Sequence, residues 1–296
     1  MAIDLSNTSS PKVLINGQTD ATLHSSDRGL TYGDGVFETI QIHNARPLLW
    51  NAHLQRMRAG ALRLKILFDH NTVRAFAEDF QLLKTDFPFN AVLKLTVTRG
   101  VGQRGYRVDP QASTTRISTL STFADRCKQQ KNGVVVRLCQ TQLARQPQLA
   151  GIKHLNRLEQ VLARNEWHDP NIGEGIVCDT QGYVIEGCMS NLFWVANGVL
   201  YTPSLRYAGV EGVIRNAIIA ICREQQQIKI EEGDYEISAL ASADEIFICN
   251  SLSNIVPVIQ IVAEDQRIQT KRLSIGTLTK KLQTLLQEYY LRKDEC

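Results

Sequence analysis

Residues 35–50 read GVFETIQIHNARPLLW, and this stretch decides the fold class. Its polar and apolar residues alternate with the period of a strand. Phe37, Thr39 and Gln41 fall on one face, and Val36, Glu38, Ile40 and Ile42 on the other. Asn44-Ala45 then turns the chain into a second strand, so the segment is a hairpin. Downstream, Leu54, Met57, Arg58, Ala61 and Leu62 recur at helical spacing, and a second helix is expected near 71–84. AVLKLTVTRG (91–100) is a strand. Upstream, KVLING (12–17) is a short strand that ends on the turn signal Asn16-Gly17. Beyond it, GVGQRGYRVDPQAS (100–113) reads as a long loop, RISTLSTFA (116–124) as one more strand, and ADRCKQQKNG (124–133) as a linker.

The second half repeats the mixture. GVVVRLC (133–139) is a strand, and a Gln- and Pro-rich loop leads into GIKHLNRLEQVLARNEW (151–167), where Leu155, Leu158 and Leu162 form a helical stripe. GIVCD, GYVIEG and NLFWVANGVLYTP (175–203) read as a meander with turns at Asp179–Gly182 and Asn197-Gly198. A helix opens after Gly212 with Ile214, Ala217, Ile218 and Ile221 inward. EIFICNSLSNIVPV (245–258) reads as a strand leading into a loop, and a last helix covers about 274–292. Hairpins interleaved with helices argue for an α+β chain rather than a regular parallel α/β one. The composition shift near 125–130 suggests a smaller α/β domain at 1–127 and a larger domain at 128–296.

Bulk properties narrow the function. The chain has 296 residues and a formal net charge of +3, too small to argue for nucleic acid or an anionic membrane. The first residues, MAIDLSNTSSPKV, lack an apolar signal core, and no apolar run approaches the roughly 18 residues of a membrane span. Seven scattered cysteines read as reduced residues of a cytoplasmic protein, and neither cysteines nor histidines have metal-ligand spacing. Nucleophile-elbow, phosphate-loop and metalloprotease motifs are absent from the sequence.

Several residues invite a chemical reading, each beside a plainer one. Lys153, between a loop and a helix, is either a solvated lysine or an amine able to form a Schiff base. Glu186, after the apolar Tyr183-Val184-Ile185, is either a strand-end carboxylate or a buried anion facing a pyridinium nitrogen. Gly209–Gly212 before a helix is either a loop or an anion site, to which Asn250 and Ser251 can add donors. Arg56 is either a solvated helix residue or a bidentate phosphate ligand. Arg104 and Tyr106 lie in the glycine-rich loop, where a dicarboxylate substrate would need a cation.

Five ordered segments carry a resemblance: DRGLTYGDGVFET (27–39), HLQRM (53–57), GIKHLNRLEQ (151–160), EGCMSNLF (186–193) and GVEGVIR (209–215). Together they resemble the fold-type IV pyridoxal phosphate enzymes, a group that includes branched-chain and D-amino-acid aminotransferases and aminodeoxychorismate lyases. The loop RGVGQRGY, the lysine segment and Asn250-Ser251-Leu252 are most similar to the lyase branch. Val213-Ile214 stand after Gly212, where the aminotransferases usually carry a threonine just before the arginine.

The resemblance implies a two-domain fold with pyridoxal 5'-phosphate between the domains. It implies an imine on Lys153, Glu186 at the pyridine nitrogen, and Arg157 near the ring hydroxyl. Arg56, Ser251 and the backbone of Val213 and Ile214 would bind the phosphate, with Asn250 beside them. Phe37 and Thr39 would line the substrate side, and Arg104 and Tyr106 would contact substrate, across the interface of a homodimer in some relatives. The implied reaction turns 4-amino-4-deoxychorismate into 4-aminobenzoate and pyruvate, a step toward folate, with Lys153 as base and Lys153 or Thr39 as proton donor. The alternatives are a D-amino-acid or branched-chain aminotransferase, and a cofactor carrier without turnover.

Overall fold

The computed structural model describes residues 11–85, 87, 90–109, 111–263 and 267–294. The polar first ten residues and Cys296 lie outside them. The chain divides into two compact units. One holds residues 1–124 together with Ile152–Asn156, and the other holds 125–151 and 157–296. A single cut of the sequence therefore does not separate the units, because five residues of the lysine segment return to the first.

The first unit runs β1 (Lys12–Ile15), α1 (Arg28–Tyr32), β2 (Gly35–His43), β3 (Arg46–Pro47), α2 (Trp50–Arg63), α3 (His70–Leu83), β4 (Ala91–Thr98) and β5 (Thr115–Thr122). Its sheet has the antiparallel order β1-β5-β4-β2-β3. The alternation read from residues 36–42 is realised: Val36, Glu38, Ile40 and Ile42 are buried and Phe37, Thr39 and Gln41 half-buried. Both hairpin turns use backbone that only a few residue types accept, with positive φ at Asn16 and Gly17 and at Asn44 and Ala45. The core packs Ile40, Ile42, Leu93 and Leu95 with Met57 and Ala61 of α2 and Phe76 and Phe80 of α3. On α2 the buried face is His53, Leu54, Met57, Gly60 and Ala61. Arg58 and Leu62, expected on that face, point outward, and Leu62 is 74% exposed.

The second unit runs α4 (Cys127–Asn132), β6 (Val134–Leu143), α5 (Leu158–Arg164), β7 (Ile172–Asp179), β8 (Val184–Gly187), β9 (Asn191–Ala196), β10 (Val199–Pro203), α6 (Val213–Glu224), β11 (Ile230–Gly233), β12 (Glu245–Asn250), β13 (Asn254–Val262), β14 (Lys271–Arg272) and α7 (Thr277–Asp294). Its sheet order is β11-β10-β9-β12-β13-β6-β7-β8, with β14 on β13. Three expectations change. The linker contains the short helix α4. The strand before residue 250 forms a hairpin with β13, because Asn250 Oδ1 accepts from the N–H groups of Leu252 and Ser253 and closes the turn. The expected meander is split, since β12, β13 and β6 separate the β7–β8 and β9–β10 hairpins. All of β9 is buried, which is why LFWVA after Asn191 is continuously apolar instead of alternating.

Candidate active site

In the first unit, the lysine segment pairs with β2 along the part of its edge that β3 does not cover. The Phe37 N–H donates to the Lys153 carbonyl (3.0 Å) and the Leu155 N–H to the Gly35 carbonyl (3.0 Å). Ile152, buried in the core, fixes the approach: a Cβ on Gly60 of α2 would lie 3.0 Å from its Cγ2, so glycine there gives the segment room. Lys153 Nζ stands over the Phe37 ring, 4.4 Å from its centroid. A second lysine faces the same ring. Lys94 on β4 is the cross-strand partner of Thr39, and its Nζ is 5.2 Å from the Phe37 centroid. Its one signal along the chain is that Lys94 is the lone charge in AVLKLTVT.

Behind this face, Glu38 is fully buried. Its Oε1 accepts from Arg56 Nε (2.8 Å), its Oε2 from Arg56 Nη2 (2.5 Å), and Oε2 lies 2.6 Å from His53 Nδ1. Burial raises the Glu38 pKa, but the charges of Arg56 and His53 outweigh it and bring the carboxyl down to about 2. His53 is held below the usual imidazole value, chiefly by its own burial. Arg56 thus comes to its candidate role already joined to a carboxylate.

In the second unit, Glu186 of β8 is 4% exposed, and its Oε2 accepts the Val210 N–H (2.8 Å). Gly209 permits this: it has φ +86°, and a Cβ there would lie 2.7 Å from Ile185 Cγ2 and 3.1 Å from Glu186 Oε2. Asn191 Nδ2 donates to the Val210 carbonyl (2.8 Å), so one peptide segment is held by both side chains. Two residues later α6 begins with Gly212 as its N-cap and no side-chain cap. The amides of Val213 and Ile214 stand in the first turn, where backbone donors have no partner within the helix. Asn191 Oδ1 occupies the space a Cβ on Gly212 would need, at 2.0 Å.

The turn between Glu186 and Asn191 is itself fastened. Buried Glu174 accepts from the Met189 N–H (3.3 Å) and the Ser190 hydroxyl (2.9 Å), and Asn250 Nδ2 donates to the Met189 carbonyl (3.2 Å). Burial pushes the Glu174 carboxyl up. Asn250 therefore shapes the turn that carries Ser251. Arg157 precedes α5, where burial lowers its pKa against the opposing charges of Glu186 and Glu159. The structure thus gathers Lys153, Phe37 and Thr39 in one unit, and Glu186, Arg157, Val213, Ile214, Asn250 and Ser251 in the other. Arg104 and Tyr106 lie on the exposed loop of the first unit, with the Tyr106 ring 5.4 Å from that of Tyr32. The loop is held by Arg28, which donates to the Gly105 and Tyr106 carbonyls. Among the described residues, no group of three or more His, Cys, Asp or Glu side chains has metal-binding geometry, and no helix is long and apolar enough to cross a membrane.

This chain belongs to the class IV amino-transferases, whose family model matches residues 35–261. Within it, the chain is similar to an aminodeoxychorismate lyase of Vibrio harveyi, 36% identical over 273 residues that make up 91% of this chain and 97% of the relative. The crystal structure of 4-amino-4-deoxychorismate lyase from Pseudomonas aeruginosa superposes with a TM-score of 0.85 at 39% identity, covering 93% of this chain and 98% of that one. Branched-chain amino acid aminotransferase from Escherichia coli shares the fold at 24% identity, with a TM-score of 0.80 over 94% of this chain and 93% of its own.

Proposed function

We propose that this chain is a pyridoxal 5'-phosphate-dependent lyase that converts 4-amino-4-deoxychorismate into 4-aminobenzoate and pyruvate. The observation that carries the reading is the pair of lysines at one ring, with Lys153 and Lys94 Nζ 4.4 Å and 5.2 Å from the Phe37 centroid and Thr39 next on the same face. In this reading Lys153 supplies the reacting amine, and Lys94 a cation for a carboxylate of a dicarboxylate substrate. Similarity to two proteins that bear the lyase's name supports it.

The residues present fit the cofactor. Glu186, buried and aimed by the Val210 N–H, suits a protonated pyridine nitrogen. The uncapped start of α6 suits a phosphate dianion. Bound pyridoxal phosphate supplies a ring that withdraws the electrons left when a substrate C–H bond breaks. In this reading Lys153 would hold the cofactor at its aldehyde, and its amine would serve as the base for the substrate's C4 proton. Glu186 keeps the pyridine nitrogen protonated, and Arg157 meets the ring hydroxyl. Arg56, Ser251 and the amides of Val213 and Ile214 hold the phosphate. The ether bond to the enolpyruvyl group then breaks, the ring becomes aromatic, and Lys153 or Thr39 gives the leaving group its proton. Lys94 and Phe37 orient the substrate. We assign the chain to folate synthesis in the cytoplasm as a homodimer, and Tyr106, 84% exposed, and Arg104 to contact with the substrate bound to a second copy.

The test is direct. Purified protein given aminodeoxychorismate and no 2-oxo acid releases pyruvate, followed with lactate dehydrogenase. Fast amino-group transfer to an added oxo acid, with no pyruvate formed, would replace the lyase by a transaminase.

A further inference from the structure

Glu38 points away from Phe37 and Thr39, yet it holds Arg56. It lies on the core face of β2, opposite Phe37 and Thr39, and is 0% exposed. His53 and Arg56 lie three residues apart on α2 and both lean onto its carboxylate. The two bonds from Arg56 Nε and Nη2 form a fork, which fixes the plane of a guanidinium as well as its position. His53 Nδ1 lies 2.6 Å from Oε2 and gives the buried carboxylate a further anchor besides the arginine. A lone arginine side chain carries considerable rotamer entropy, and an anion that binds it must remove that freedom. At Arg56 the freedom is already gone.

We propose that Glu38 is a positioning residue for the cofactor's phosphate: its two-point grip on Arg56 sets the guanidinium in the plane and direction in which it meets that phosphate. The inference rests on the reading of Arg56 as a phosphate ligand. A purely structural Glu38, neutralising a half-buried arginine, would also leave a less stable protein when replaced. It would not distinguish a phosphorylated ligand from an unphosphorylated one.

That difference is measurable. The full chain, freed of cofactor, is titrated with pyridoxal phosphate and with pyridoxal, and the ratio of the two Kd values reads the phosphate's share of binding. Glu38→Gln keeps the size but faces two N–H donors with one acceptor and one donor. It should weaken pyridoxal phosphate by about tenfold or more and pyridoxal by less than about twofold. Glu38→Asp keeps the charge but pulls it back by one methylene, and its ratio should fall between. Arg56→Ala should collapse the ratio at least as far, and adding Glu38→Gln to it should change the ratio little further. If Arg56→Ala collapses the ratio and both Glu38 variants leave it unchanged, the positioning role is overturned while Arg56 stands. If Arg56→Ala itself leaves the ratio unchanged, the reading of Arg56 fails, and this inference with it. Should Glu38→Gln not fold, Glu38→Asp alone decides: an unchanged ratio overturns the proposal.

Discussion

Replacing Gly212 by alanine probes the join between the candidate pyridine and phosphate sites. Gly212 has φ −67°, which any residue accepts, so the backbone itself is not strained by a side chain. The obstacle is steric. The new Cβ would lie 2.0 Å from Asn191 Oδ1 and 3.2 Å from its Cγ. Asn191 is 5% exposed and must retreat by about 1 Å, because packed interiors leave no slack. Doing so breaks its 2.8 Å bond to the Val210 carbonyl. One lost bond costs about 1 kcal/mol, and forcing a methyl into a filled site adds about 1–3 kcal/mol. The sum is about 2–4 kcal/mol, which at this chain length is a fall of roughly 3–6 °C in melting temperature. The same retreat loosens Val210, whose N–H aims Glu186, so cofactor affinity should drop by about tenfold or more. Differential scanning calorimetry and cofactor titration read both effects. Gly182→Ala is the control. Its φ is +87° and nothing lies within 4 Å, so it costs about 1 kcal/mol of backbone strain and leaves the cofactor's affinity unchanged. If Gly212→Ala melts within about 1 °C of the parent and binds cofactor equally well, the packing argument is wrong.

Lys94→Met keeps the stem over Phe37 and removes the charge, so KM should rise about tenfold or more with a smaller change in kcat; an unchanged KM would remove Lys94 from the substrate side. Glu38, with its carboxyl lowered from 4.5 to about 2, contributes about 3 kcal/mol that is present above pH 4.5 and lost as pH falls toward 2. The stability gap between the parent and Glu38→Gln in urea should therefore narrow on acidification from pH 5 to pH 3, and a constant gap would contradict the assigned shift. Glu174 has the opposite sign: its raised pKa gives stability below pH 4.5 that is lost as pH rises through the folded value. Glu174→Gln should gain on the parent between pH 4.5 and pH 8, and a gap moving the other way refutes the burial argument.

The sequence was most legible where geometry is local. Residues 36–42 show their period of two directly, and Asn16-Gly17, Asn44-Ala45 and Asn197-Gly198 are all read correctly as turns because each needs positive φ. Apolar periodicity was less informative about its covering. Leu158 and Leu162 form a true stripe on α5, yet they are 77% and 61% exposed, since a pattern marks a face without saying what lies on it. Nonlocal placement was not legible at all. Lys94 gains meaning only through its register with Thr39, and a lone strand lysine is ordinarily a solvated group. Asn250 is read from its place beyond a buried strand as a donor to the anion site, and the structure adds that its side chain closes its own turn. Gly212 was read for its open amides, and the structure adds that Asn191 fills the place of its side chain.

The tie between β2 and residues 153–155 also bears on how the chain is made. Beyond β3, the edge of β2 at Gly35 and Phe37 is paired by residues that follow the whole first stretch of that unit and the strand β6 besides. On a ribosome, residues 1–124 emerge first, and this edge then stays unpaired until Leu155 has followed. An open strand edge invites pairing with other chains. A fragment ending at Ala124 would carry that edge permanently, so the amino-terminal unit is expected to self-associate when produced alone. Lys153 thus lies within the last piece needed to complete the first unit.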